Sequence, residues 1–205
     1  MALLPTVRTP IRADQVANAV IVVAETLSRP SRDWISLLVS QTLVECGADG
    51  MHCYGWNIGN KRPSSGEDYQ CLKGAGEEMP LVHAEKQLRE APGQVKIVSR
   101  YQREGVPFAS VKYEPPHPYS RFAAYQTLEA GIAAWLAWYR KRPSAIDAAR
   151  IGPQAFADEL KRLKYFTAST AHYAKMLIDR RAQVMREVRT LTWGDVPETV
   201  SDCEA

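Results

Sequence analysis

With 205 residues, 45% of them hydrophobic, and a formal net charge of +3, the chain can bury one sizeable core and carries only a mild positive excess. Its longest apolar runs, Ala19 to Ala24 and Gly131 to Tyr139, fall well short of the roughly 18 residues that suggest a spanning helix, which excludes a membrane protein from the expected classes. The four cysteines, Cys46, Cys53, Cys71 and Cys203, form no paired C-x-x-C sets, and Cys46 with His52 and Cys53 lacks a second pair at zinc-like spacing, so no metal and no cofactor is expected.

The opening stretch, MALLPTVRTPIRADQ, has neither the basic n-region, the long apolar run nor the small-residue cleavage site of a secretory leader, and residues 1–12 read as a loose end. Residues 13–28 follow as a helix, with Val16, Ala19, Val20, Val23, Ala24 and Leu27 on one apolar face that stops before Arg29 and Pro30. A second helix starts at Ser31, a good N-cap, and Trp34, Leu37, Leu38 and Val44 give it an apolar stripe. Gln41 and Glu45 lie on the face of Trp34 and Leu38. Gly47 suits the left-handed position that ends helices, which puts Glu45 in the final turn. There the negative end of the helix dipole and partial burial both push a carboxyl pKa upward, making Glu45 a candidate general acid. The turn behind it, Tyr54, Gly55, Trp56, Asn57, Ile58, Gly59, Asn60 and Lys61, offers flat aromatic faces and amides that suit a sugar, with an ordinary loop as the alternative.

Residues 63–93 are rich in Pro, Gly, Ser and charge, and residues 80–91 are expected as a short helix. Val95 to Tyr101 and Phe108 to Tyr113 alternate as two strands, and QREGVP between them suits a connecting loop rather than a tight hairpin. His117 sits among Pro115, Pro116 and Pro118, where a rigid linker position is expected ahead of ligand contact. Residues 127–142 are predicted as a helix capped by Thr127, with Ile132, Trp135, Leu136 and Tyr139 as its core face. Two shorter helices follow over 144–150, where Ser144 and Asp147 resemble a capping box, and over 153–163, with Pro153 in the first turn. A long helix is predicted from about Thr170 to Leu191, and residues 194–205 read as a loose tail. Residues 161–191 hold eight Lys or Arg, a concentration best read as a solvated helix face, with an anionic wall polymer or, as a rival, nucleic acid as the alternative partner. Free thiols are expected, with a Cys46–Cys53 or Cys53–Cys71 bridge as the alternative in an oxidising compartment.

Four pieces in order carry a family resemblance. Ser40, Gln41, Glu45 and Gly47 resemble an A/S-Q-x-x-x-E-S/T-G helix end. Asn57, Ile58, Gly59, Asn60 and Lys61 resemble the turn that follows it. Arg121 to Tyr125 with Leu128, Glu129 and Gly131 are similar to the entry into the next helix. Leu163 to Thr167 with His172 to Leu177 are similar to a terminal G-Y-x-T-D-P-x-Y-A-x-K-L signature. Together, over roughly residues 30–180, they resemble the glucosaminidase family of bacterial cell-wall hydrolases, the flagellar-rod muramidase-like group related in fold to goose-type lysozyme. The resemblance implies one lysozyme-like domain over 1–205, an α+β, mostly α fold with a small β element beside the cleft.

It also implies cleavage of a β-1,4 bond between N-acetylated amino sugars of peptidoglycan, with Glu45 protonating the departing oxygen. Gln41, Tyr54, Trp56, Asn57, Asn60, Tyr165 and Tyr173 are the expected substrate contacts, although Tyr165 and Tyr173 are equally at home in a core. For the second carboxylate, Glu77 and Glu78 are favoured because LKGAGEEM follows the binding turn as a glycine-rich lobe, with Glu104 next. The family position before Tyr101 is Arg100 here, and an acetamido group could assist its own cleavage instead. The expected partner is the peptidoglycan glycan strand, met by a monomer, with no nucleic acid and no membrane. Release by cell lysis, carriage in a phage particle or a dedicated secretion machine would each bring such a protein to the wall. Glucosaminidase, muramidase and lytic transglycosylase chemistry all remain open, and a non-catalytic glycan-binding or phage-particle structural protein is the alternative class.

Overall fold

The computed structural model describes residues 2–24, 31–46, 52–166 and 168–188. The expected helix stop at Arg29 and Pro30, the Gly47 helix end, Thr167, Arg189, Leu191 and the tail with Cys203 lie outside the described residues. In chain order the elements are β1 (Arg8–Pro10), α1 (Ala13–Ala24), α2 (Arg32–Glu45), β2 (His52–Tyr54), β3 (Tyr69–Cys71), β4 (Ala75–Pro80) and α3 (Leu81–Glu90). There follow β5 (Val95–Arg103), β6 (Val106–Tyr113), a short 3-10 turn (Pro118–Ser120) and β7 (Arg121–Ala123). Last come α4 (Leu128–Arg140), α5 (Pro143–Ile151), α6 (Pro153–Arg162) and α7 (Thr170–Glu187). Helices outweigh strands, and the chain is a mixed α and β protein. Among the described residues no helix is long and apolar enough to cross a membrane.

The chain gathers into two compact units, each discontinuous in sequence: Met1–Val7 with Lys61–Ala124, and Arg8–Asn60 with Tyr125–Ala205. The second, helical unit is built around α2. Ser31 caps it, its hydroxyl accepting from the Trp34 N–H at 3.3 Å. Every residue from Trp34 to Leu43 is buried, so the expected apolar stripe is a helix covered on all sides. The polar residues tolerate this because they bond locally: the hydroxyls of Ser36, Ser40 and Thr42 donate to the carbonyls of Asp33 (2.8 Å), Ser36 (2.5 Å) and Val39 (2.7 Å). Satisfied in this way, Ser and Thr behave as small core residues, which a hydrophobicity pattern does not register.

α1, α5 and α7 pack against α2, and α4 packs on α1. Ile132, Trp135, Leu136 and Tyr139 of α4 are buried as predicted, and Thr127 caps that helix with its hydroxyl 3.2 Å from the Ala130 N–H. Arg181 of α7 ties to α2 twice, donating from Nε to the Ser36 hydroxyl at 3.0 Å and from Nη2 to the Asp33 carboxylate. At α5 the expected capping box does not form. Pro143 takes the first helical position, which places Ser144 inside the helix, where its hydroxyl donates to Glu159 at 2.6 Å.

The other unit holds a three-stranded antiparallel sheet in the order β4-β6-β5, and α3 packs on it over Ala84, Val95, Ala109, Val111 and Tyr113. Here the expected loop at QREGVP is instead a tight hairpin. Arg103 pairs with Val106, leaving Glu104 (φ 52) and Gly105 (φ 79) as the two turn residues. Two successive left-handed residues match the twist of the flanking strands. Pro107 is tolerated on the central strand because β4 reaches only to Phe108, so no N–H is needed there. Residues 63–93, rich in Pro, Gly, Ser and charge, supply β3, β4 and α3; α3 lies where residues 80–91 were expected to be helical. His117 is buried, stacked on Tyr113 at 4.6 Å, and its Nδ1 accepts from the Tyr119 N–H at 3.2 Å, so it is a packing residue.

A close approach in the helical unit fixes the turn after β2. The Trp56 carbonyl lies against Gly131 of α4, where a β-carbon would collide with it, and a β-carbon at Gly59 would strike the Trp135 ring. Gly131→Ala is therefore expected to destabilise the protein by about 1–3 kcal/mol, read as a lower urea midpoint with an unchanged slope.

Candidate active site around Glu45

α2 delivers Glu45 as its last residue, half-buried, with Cys46 as the cap. The Tyr173 hydroxyl of α7 donates to Oε1 at 3.0 Å. The Asn60 side-chain amide donates both to Oε2, at 3.3 Å, and to the Glu45 main-chain carbonyl, at 2.8 Å. Asn60 itself is left-handed (φ 48) and exposed. One amide thus satisfies a helix-end carbonyl that has no partner within the helix and touches the carboxylate as well. Burial raises the Glu45 pKa above the ordinary glutamate value, while the bonds from Tyr173 and Asn60 hold it partly down. The result is a carboxyl group that keeps its proton higher up the pH scale than usual and has two donors in place for the charge left after the proton departs.

The surroundings are aromatic. Tyr173 is 3% exposed and stacks on Phe166 with ring centres 4.0 Å apart. Tyr165 meets Trp138 edge-on at 5.2 Å, and Trp138 meets Tyr139 in the same way at 5.0 Å. Burial raises the pKa of Tyr139, Tyr165 and Tyr173, and the Glu45 charge adds to the effect on each. All three are accordingly neutral O–H groups rather than bases. Tyr139 donates to the Gln41 side-chain carbonyl. The Tyr165 hydroxyl is flanked by Trp135 Nε1 and Gln41, both close enough to favour its ionised form. Yet the Tyr165 oxygen, Trp135 Nε1 and Gln41 Nε2 are buried without a hydrogen bond of normal geometry among the described residues.

The structure thus brings together Glu45, Asn60 and Tyr173 in direct contact, with Gln41 and Tyr165 on the buried polar side. The remaining turn residues are placed differently from one another. Tyr54 is half-buried in β2 opposite Arg8; Trp56 is half-buried against the core with φ 53; Asn57 is buried at 5% exposure, its main-chain N–H donating to the Tyr54 carbonyl at 3.0 Å.

Glu77 and Glu78 belong to the other unit. The expected glycine-rich lobe around them is strand β4, with Glu77 opposite Val111 and Glu78 opposite Ser110. Neighbouring strand residues point to opposite faces, and each carboxylate has its own cation: Arg62 Nη2 lies 2.5 Å from Glu77, and Arg103 pairs with Glu78. Arg100 stands 4.0 Å from Glu85.

Cys46, Cys53 and Cys71 are free thiols. Burial pushes Cys53 up to about 11 and Cys46 higher still, so neither is a thiolate nucleophile near neutral pH. Among the described residues no group of three His, Cys, Asp or Glu side chains could hold a metal ion. On α7, Lys175 and Asp179 pair at 2.7 Å, which fits the solvated-face reading of the basic end. Tyr139 and Trp135 were legible as core but not as part of this site; a phenol and an indole N–H on a buried helix face both need polar company, and that was the available signal.

A raised folded-state pKa contributes stability that is complete below the unfolded value and is lost as pH rises through the folded value. Glu45→Gln removes that loss. Thermal melts from about pH 4 to pH 8 are expected to show the variant gaining on the wild type as pH rises; a difference independent of pH would refute the raised pKa.

No family model, no curated protein and no solved structure matches the chain.

Proposed function

We propose that the protein is a peptidoglycan hydrolase with a lysozyme-like helical unit, cleaving a β-1,4 bond between N-acetylated amino sugars with Glu45 as general acid. The observation that carries this reading is the state of Glu45: half-buried at a helix end, its pKa raised by burial, with the Tyr173 hydroxyl on one oxygen and the Asn60 amide on the other. A carboxylic acid near neutral pH is what a departing glycosidic oxygen requires, and raising a glutamate pKa by burial is how glycosidases obtain one. The order of the Gln41, Glu45, Asn60, Tyr165 and Tyr173 motifs supports the same family assignment.

In this mechanism Glu45 transfers its proton to the bridging oxygen as the C1–O bond breaks. The carboxylate that remains is stabilised by the two donors already on it. Glu77 and Glu78 are each matched to an arginine, and we therefore favour assistance by the substrate's own acetamido oxygen, which closes on C1 as the leaving group departs. Water then adds at C1 as the bond from C1 to the acetamido oxygen breaks and restores the acetamide, and Glu45 recovers a proton from that water. Alternatively, attack by the sugar's own 6-hydroxyl would leave an anhydro end, the transglycosylase outcome.

Digestion of purified peptidoglycan, with mass spectrometry of the released ends, tests the reading. Glu45→Gln is expected to lower turnover by at least about a hundredfold with folding intact. The substrate-assisted route predicts that Glu77→Gln and Glu78→Gln keep most of the activity; a loss in either that equals the Glu45→Gln loss would restore a two-carboxylate mechanism. A wild type that pellets with the wall but releases nothing sinks the hydrolase and leaves a glycan-binding protein.

A further inference from the structure

The sheet-bearing unit contains a cleft of about 350 Å³ that the Glu45 chemistry does not use. Arg62 and Arg121 line it, together with Tyr69, Tyr119 and the polar Ser64 and Ser65. The two arginines differ in their state. Arg62 is spent: Nη2 reaches Glu77 at 2.5 Å, Nη1 donates to the Tyr119 carbonyl and, at 3.2 Å, to the Arg121 carbonyl, and the guanidinium lies 4.2 Å over the Phe122 ring. Lys61 just before it is likewise paired, with Glu67. Arg121 is not. Its guanidinium lies 5.3 Å over the Tyr69 ring, and among the described residues no carboxylate, carbonyl or hydroxyl accepts from it. Its Nε is buried without a partner.

A guanidinium cannot shed its proton, and a half-buried one without an acceptor is a costly feature to keep. With Nε buried, what the guanidinium can offer a ligand is its pair of Nη groups, a planar fork of N–H donors matched by a carboxylate held by two parallel hydrogen bonds. A single unmatched positive charge suits a monoanion better than a phosphate dianion. Tyr69, under the Arg121 guanidinium, and Tyr119, still 43% exposed although it packs on Tyr113 and His117, give the cleft aromatic walls that suit the short aliphatic side chains of a peptide, and the volume is that of a small-ligand site.

We propose that this cleft binds the free terminal carboxylate of a short peptide, with Arg121 as the anion-binding residue and Tyr69 and Tyr119 as the walls. Resting on the proposed function for the ligand's identity, that peptide is the stem peptide carried by peptidoglycan, whose ends are free carboxylates. The cleft would then recognise the peptide part of the polymer whose glycan part is cut.

The probe is acetyl-D-alanyl-D-alanine, compared with its C-terminal amide and with inorganic phosphate, titrated into the full chain and followed by NMR shifts of Tyr69 and Tyr119. The acid is expected to bind at least about tenfold more tightly than the amide, since only the acid makes the bidentate pair. Arg121→Gln is expected to lose at least about tenfold and Arg121→Lys to fall between, because an ammonium keeps the charge without the fork. Equal binding of acid and amide overturns the proposal, as does the absence of binding. Phosphate bound more tightly than the acid also overturns it, in favour of an inorganic-anion site. The acid–amide comparison uses wild type only and does not depend on the variants folding. Wall digestion without dipeptide binding refutes this cleft alone; dipeptide binding without digestion refutes the hydrolase alone.

Discussion

A carboxyl group at the C-terminal end of a helix is opposed twice, by the partial negative charge of the helix end and by the loss of water on burial. Glu45 is held there by two donors from far along the chain, the Tyr173 hydroxyl on α7 and the Asn60 amide on the turn after β2. Much of the helical unit can be read as what this small arrangement requires. α2 is covered on all sides, which fixes the position of its last residue, and α7 is held to α2 through Arg181 as well as through packing. The turn is fixed from the other side by the close approach of Trp56 to Gly131.

The balance among burial and the two hydrogen bonds matters for chemistry. Burial alone would give a neutral acid that could not easily carry charge afterwards. Hydrogen bonds alone would give a carboxylate with nothing to donate. With both, the protonated form persists to higher pH than in an ordinary glutamate and the ionised form is provided for, which is the pairing that proton transfer to a leaving group would need. The neighbouring phenols do not compete for the role, because burial keeps Tyr139, Tyr165 and Tyr173 protonated.

Helices were legible wherever apolar spacing and a cap coincided, as at Ser31 and Thr127. Legibility failed where a polar residue acts by local bonding or where a turn is set by two left-handed residues. Ser36, Ser40 and Thr42 carry no apolar signal in the sequence, but each bonds a carbonyl three or four residues back and can be buried. Glu104 gives no hint of a left-handed turn until it pairs with Gly105 between matched strands. At the site, Glu45 stood out as a lone carboxylate closing an apolar helix, a position usually held by a solvated surface residue, and the order of the surrounding motifs gave it its role. Its two donors were visible only as members of spaced motifs, since residues 60 and 173 meet residue 45 through tertiary structure. The ion pairs that occupy Glu77 and Glu78 were beyond reach for the same reason: Arg62 and Arg103 are distant in sequence from the carboxylates they match.

The measurement that bears most directly on this arrangement is a carbon-13 NMR titration of the Glu45 side-chain carboxyl in the intact protein, with Tyr173→Phe alongside. The expected result is a midpoint above the ordinary glutamate value in the wild type, moved further upward in Tyr173→Phe, because removing the hydroxyl takes away a bond to the ionised form while leaving the burial. A wild-type midpoint at or below the ordinary value, or a downward shift in Tyr173→Phe, would contradict the assignment of Glu45 as a buried proton donor steadied by Tyr173.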